Sequence, residues 1–144
     1  MKKQYDFKND RFYNSNHLWM EKDESGQVTV GMDELGLDSL GELVYLTLPG
    51  VGTPVEMGKA MGSMEAAKMT GELYAPVSGI VIEKNDAVLQ NPLLVNDQPY
   101  DKGWLVKIKP TNWEEESVSM VTGDKLAPWI EAEIERFETK GILD

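Results

Sequence analysis

Apolar and polar residues alternate with period two along most of the first 110 positions, and a helical period replaces this beyond them. His17-Leu18-Trp19-Met20-Glu21 and Gln27-Val28-Thr29-Val30-Gly31 read as two strands joined by the turn formers Asp23-Glu24-Ser25-Gly26. Asp33 is placed to cap a short helix over residues 34–40, burying Leu35 and Leu40, and Gly41 ends it. Residues 42–48 alternate as a strand that Pro49-Gly50 stops. Residues 58–65 and 71–74 predict a hairpin with its tip at Ala66 to Thr70. A strand over Ile80-Val81-Ile82-Glu83, a turn or short helix over 85–89, a loop over 91–100 and a last strand over 104–109 follow, the last with its lysines directed to solvent. From Pro110 the period nears 3.6. Leu126, Ile130, Ile134 and Phe137 share one stripe of a helix that starts near Asp124 or Pro128, ends before Gly141 and packs on the sheets, with Trp113 and Trp129 as anchors.

This grammar divides a single domain of 144 residues into three stretches. Residues 1–15 carry four aromatics and read as a segment laid on the core. Residues 16–110 form a mainly β domain, and residues 111–144 a C-terminal helical extension.

Composition narrows the function classes. With 25 acidic and 14 basic residues the net charge is −11, which disfavours nucleic acid and anionic membrane surfaces as partners. The absence of cysteine excludes disulfides and thiolate metal sites. His17, the single histidine, reads as a structural hydrogen-bonding group, and no metal is expected. No apolar run approaches the roughly 18 residues of a membrane span, and residues 1–5 lead into no apolar signal core, so a cytoplasmic location is expected. There is no Ser-His-Asp order, phosphate loop or cysteine nucleophile, which points to a substrate of enzymes rather than an enzyme.

The candidate chemistry lies at Lys68, at the hairpin tip between short apolar segments. A lysine in a turn is ordinarily a solvated charge. Here, however, Gly41-Glu42-Leu43-Val44-Tyr45 nearly recurs as Gly71-Glu72-Leu73-Tyr74, which suggests two similar β-halves packed as a flattened sandwich with the lysine at their junction. Gly52 and Gly79 flank it. That is the layout of a swinging-arm carrier.

Glu65-Ala66-Ala67-Lys68, followed by Glu72-Leu73-Tyr74-Ala75-Pro76-Val77-Ser78-Gly79, resembles the lipoylation hairpin of the glycine cleavage H-protein family, usually Glu-Ser-Val-Lys and then Ser-Pro-x-Ser-Gly. The likeness runs from about His17 to Pro110, through Thr29-Val30-Gly31, Leu48-Pro49, Asn91-Pro92 and Gly103-Trp104-Leu105. It implies a lipoyl-domain-like barrel-sandwich hybrid, with a short helix after the first hairpin and a helix at the C-terminus. It also implies lipoate joined by an amide to Lys68, with Glu65 and Gly79 serving ligase recognition and the hairpin. The implied partners are a lipoate ligase, dihydrolipoamide dehydrogenase and the enzymes the arm visits. Such a tether raises the effective concentration of its reactive end to roughly the millimolar range.

The family commonly shelters an aminomethyl cargo with the serine and glutamate of a Ser-His-Glu-Trp motif and an acid four residues after the lysine. The matching positions here are Asn16, Leu18 and Glu72, the possible arm contacts. Leu18 cannot pair with an amine, and losing a contact of roughly 1.5–3 kcal/mol weakens such shelter by about one to two powers of ten. These departures, with Ala66-Ala67 in place of Ser-Val and a helical tail longer than the family usually has, resemble the H-protein-like lipoate-binding proteins that serve heterodisulfide-reductase-like sulfur oxidation. A carrier of sulfur species for such a complex is therefore the reading preferred from sequence, with the glycine cleavage H protein as the alternative. Glu65-Ala66-Ala67-Lys68-Met69 also resembles a biotin carrier's Glu-Ala-Met-Lys-Met, from which Ala67 departs. An unmodified β-domain used for contacts is the remaining reading.

Overall fold

Alternation becomes strand at Phe12–Tyr13 (β1), Leu18–Lys22 (β2) and Val28–Met32 (β3) in a computed structural model that describes residues 4–143. The first three residues of the expected N-terminal segment and the last of the helical extension lie outside the described residues. β2 and β3 pair antiparallel from Leu18↔Met32 to Lys22↔Val28. Their turn is set by Asp23, whose carboxylate accepts the Ser25 and Gln27 amides. Asp33 caps α1 (Glu34–Leu40) by accepting the Gly36 amide, and Gly41, at φ 87°, closes it. Leu35 is buried as expected, but Leu37 takes the second inward position; Leu40, in the last turn, is only half-buried.

The chain continues through β4 (Leu43–Thr47), β5 (Pro54–Val55), β6 (Ala60–Ala66), β7 (Thr70–Tyr74) and β8 (Gly79–Lys84). Then come the short helices α2 (Asp86–Gln90) and α3 (Leu93–Asp97), β9 (Val106–Pro110), α4 (Trp113–Glu116) and the terminal helix α5 (Leu126–Thr139). The expected loop over 91–100 thus contains a helix. Its turn formers start that helix, since Pro92 sits at φ −58° and leads into α3, whose Val95 is buried. Asn96 of α3 fixes the entry to β4, accepting the Leu43 amide and donating to the Gly41 carbonyl.

Two antiparallel sheets result, one of six strands in the order β1-β2-β3-β9-β8-β5 and one of three in the order β4-β6-β7. The near-repeat does not mark two opposite halves: its copies lead into or form β4 and β7, which flank β6 within the small sheet. What the copies share is an inward leucine, Leu43 and Leu73, both buried.

The main core lies between the sheets, built from Leu18, Met20, Val30, Leu46, Val81 and Ile108 among others. A second cluster, Tyr13, Trp19, Tyr100 and Leu126 with Phe7 and Trp129 against it, covers the other face of β2. The Trp19 indole N–H donates to the Pro99 carbonyl at 2.9 Å, and its ring fills the space where a Cβ on Gly31 would stand at 2.3 Å. Trp113 meets Phe12 edge-on at 5.0 Å. Phe7 packs at 5.2 Å on Tyr13 and Tyr5 donates to Asp38, which lays these N-terminal residues on the second cluster and on α1.

Candidate functional site

The β6-β7 hairpin closes with Glu65 opposite Thr70, so Ala67, Lys68 and Met69 form its tip. The Ala66 amide donates to the Met69 carbonyl, tightening the turn. The tip is also fastened sideways: the Ala67 amide donates to the Glu42 carbonyl and the Lys68 amide to the Leu40 carbonyl, each at 2.9 Å. Gly41 makes this approach possible, because its φ is left-handed and a Cβ there would lie 3.1 Å from Lys68 Cγ. Lys68 is exposed, with its ammonium donating to the Asp38 carbonyl at 2.9 Å, near the C-terminal end of α1. The backbone is pinned and the side chain faces outward.

Depressions lie on both sides of this tip. One, of about 600 Å³, is lined by Lys68 itself together with Tyr5, Glu34, Asp38, Glu42 and Asn96. The other, of about 310 Å³, is a cleft walled by Met32, Leu40, Met64, Met69 and Phe137, with Asn16, His17 and Glu72 at its polar positions.

The residues singled out in the sequence divide among several places. Asn16 and Glu72 meet at the cleft. Leu18 does not join them; its side chain is buried in the main core. Glu65 is exposed on β6 beside the tip, opposite Tyr45. A bulge between Leu43 and Tyr45 turns both Val44 and Tyr45 outward there, which strict alternation did not foresee. Gly79 is not part of the hairpin: it is buried in β8 of the large sheet, where a Cβ would stand 2.2 Å from the Lys109 carbonyl oxygen. Gly79→Ala is therefore expected to cost about 1–3 kcal/mol of stability by overpacking, read as a lower denaturation midpoint. Modification of Lys68 in the folded fraction should be unchanged.

The partners of one group, His17, went unseen in the sequence. His17, at φ 59° and buried, bonds through Nδ1 to Asp33 and through Nε2 to Glu133 of α5, each at 2.8 Å. Its ring stacks 5.1 Å from Trp129 and stands edge-on to Phe137 at 5.1 Å. The three polar groups lie in a chain through both ring nitrogens. Burial alone would strip the proton from His17, but the hydrogen bonds and charges of Asp33 and Glu133 outweigh it and raise its pKa above the usual 6.5. Burial likewise raises the Asp33 carboxyl against the pull of His17. In both groups folding holds a proton more tightly than the unfolded chain does, so stability falls as pH rises through the folded value of the pair. Glu133 runs the other way: its pKa is lowered, chiefly by Arg136, so its contribution is lost as pH falls through a value below 4.5. The urea midpoint is accordingly expected to be higher at about pH 6 than at about pH 9. A His17→Gln variant should lack most of that difference.

The model of the family described as glycine cleavage H-protein matches residues 11–133. The chain belongs to the glycine cleavage H-protein family. Over 107 residues it is 42% identical to the glycine cleavage system H protein of Legionella pneumophila, covering 74% of this chain and 85% of that one. It is 36% identical over 131 residues to the Gloeothece citriformis protein of the same name, covering 90% and 98%. A crystal structure of a glycine cleavage system H protein from Mycobacterium marinum superposes with a TM-score of 0.77 at 31% identity, covering 87% of this chain and 99% of that one. H proteins are lipoyl carriers, not enzymes, and hold lipoate covalently on a lysine. These relatives all carry the glycine cleavage name. Among the described residues no helix is long and apolar enough to cross a membrane.

The geometry fits such a group. Lys68 is exposed at a tip whose backbone is held in place, and the next residue, Met69, lines an apolar cleft.

Proposed function

We propose that Lys68 is the lipoyl-bearing lysine of this H protein and that the arm carries the aminomethyl group among the glycine cleavage enzymes. The observation that carries this reading is an exposed lysine on a hairpin tip with a pinned backbone, whose next residue, Met69, lines an apolar cleft that also contains a carboxylate. When bound, lipoate supplies a ring disulfide that opens on reduction to give a thiol that bears cargo, and dihydrolipoamide dehydrogenase resets it by oxidation. The chain's own residues do the remainder. Glu65, exposed three residues before Lys68, offers the lipoate ligase an acidic handle. Met69, Leu40 and Phe137 give an acyl chain an apolar wall, and Glu72 with Asn16 supplies the polar end of the cleft, where a carboxylate attracts an amine. Amidation removes the Lys68 charge, and with it the ammonium that donates to the Asp38 carbonyl.

A second reading, a carrier of sulfur species serving a heterodisulfide-reductase-like complex, is favoured by one observation. Leu18 faces the core, so β2 brings no carboxylate to the cleft. The two are separated by incubating the protein with lipoate and a ligase, confirming the added mass on Lys68, and measuring glycine–bicarbonate exchange with glycine cleavage partners. Exchange is the expected result. Lipoylated protein that supports no exchange, yet is reduced by a heterodisulfide-reductase-like assembly, would establish the second reading. A streptavidin signal after expression with a biotin ligase would replace both with a biotin carrier, and a bare Lys68 in protein from its own cells would end the carrier proposal.

A further inference from the structure

α5 forms part of the cleft lined by Met69, the residue after Lys68, and apolar packing alone does not account for how that end of the helix is held. Leu126 is buried at the start of α5, and Trp129 and Ile130 pack on the second cluster. Nearer the C-terminus Ile134 is only half-buried, while Phe137 turns inward and lines the cleft. Between them stands Glu133, bonded to His17, which is bonded in turn to Asp33. Asp33 is the cap of α1, and α1 supplies Gly36, Ser39 and Leu40 to the opposite wall. One chain of hydrogen bonds thus ties together the two helices that border the cleft.

We propose that α5 is a hinged wall of this cleft, latched to α1 by the Asp33–His17–Glu133 bridge, and that unlatching it releases the docked arm. The release of the arm rests on the reading of Lys68 given above, while the latch itself does not. Each ring nitrogen of His17 faces a carboxylate oxygen, so the bridge holds one proton more than a neutral imidazole with two carboxylates supplies, whether that proton sits on the ring or on Asp33. The charged groups that face this ring are Asp33 from the start of α1, Glu133 from α5 and, behind Glu133, Arg136, which donates to both Glu133 oxygens. Glu72 of β7 lies across the same cleft. The aromatic rings that pack on it, Trp129 and Phe137, carry no charge. Loss of the proton leaves one ring nitrogen without an N–H toward its carboxylate, and the latch weakens.

Because the chain has no cysteine, Ser39→Cys places a single thiol on the cleft wall. In lipoate-free full-length protein, its rate of alkylation by a bulky maleimide is compared with and without Glu133→Ala, alongside hydrogen exchange of α5 and β3. Glu133→Ala is expected to speed alkylation about tenfold, the effect of losing one charge-assisted hydrogen bond, and to raise exchange in α5 while leaving β3 protected. Glu133→Gln, which keeps an acceptor for the ring N–H, should fall between the two. The ratio of the two rates should shrink from about pH 6 to about pH 9, as the parent loses its own latch. Equal alkylation rates overturn the latch, as does faster exchange in α5 with no change in alkylation. In lipoylated, reduced protein without the added cysteine, Glu133→Ala should also speed reaction of the arm thiols. If the wall responds and the arm does not, the latch stands and its role in releasing the arm is refuted.

Discussion

Lys68→Arg is expected to abolish lipoylation completely while leaving the fold intact. The tip is held through backbone groups, the Ala67 and Lys68 amides on the Glu42 and Leu40 carbonyls, and these do not depend on the side chain. Arginine keeps the positive charge and can still donate to the Asp38 carbonyl, so the local electrostatics barely change. What is lost is an amine that can shed a proton and attack an activated acyl group; the guanidinium remains protonated and its lone pairs are delocalised. Intact mass after incubation with lipoate and a ligase should equal that of the unmodified chain, and carrier activity should fall to background. A thermal midpoint equal to that of the parent completes the expectation. A lipoyl adduct on the variant would mean that another lysine is the attachment site and would remove Lys68 from the account.

His17→Ala is expected to produce the largest loss of stability. The substitution leaves Asp33, fully buried, without its ring partner, and frees Glu133 from the core. Removing one member of a buried charged pair costs about 3–5 kcal/mol, because the charge left behind remains desolvated. Loss of the ring that stacks on Trp129 and meets Phe137 adds to this, and alanine adopts φ 59° less readily than histidine. Against a total stability of about 5–15 kcal/mol, such a loss is visible in any denaturant titration. Asp33→Asn in the same background should recover part of it, since the stranded charge is removed while the side-chain oxygen that caps α1 is retained. A loss of less than about 1 kcal/mol would mean that His17 does not join α5 to the core.

These two residues were legible to different degrees. Lys68 could be placed at a hairpin tip because strand alternation, flanking glycines and turn composition act over a few neighbouring residues. His17 was read correctly as a hydrogen-bonding group, but its partners were hidden. Asp33 is 16 residues away and already explained as a cap, while Glu133 is 116 residues away on a helix read from its apolar stripe and its boundaries rather than its charges. A buried polar pair at that separation leaves no periodic trace.

The sequence by itself determined the hairpins, the capped helix after the second strand, the displayed lysine and the final amphipathic helix, because each follows from backbone sterics and side-chain spacing within a few residues. Only the tertiary structure decided which way Leu18 faces. His17, Leu18, Trp19 and Met20 are all buried, since one face of β2 meets the core between the sheets and the aromatic cluster beneath α5 covers the other, so alternation could not separate inside from outside. Packing between distant segments likewise put Gly79 against a neighbouring strand rather than at the lysine. It also set both copies of the Gly-Glu-Leu repeat beside β6 in one sheet and joined α5 to α1 through His17. Contacts of that kind are settled by which surfaces exclude water together, and a linear pattern carries no record of that choice.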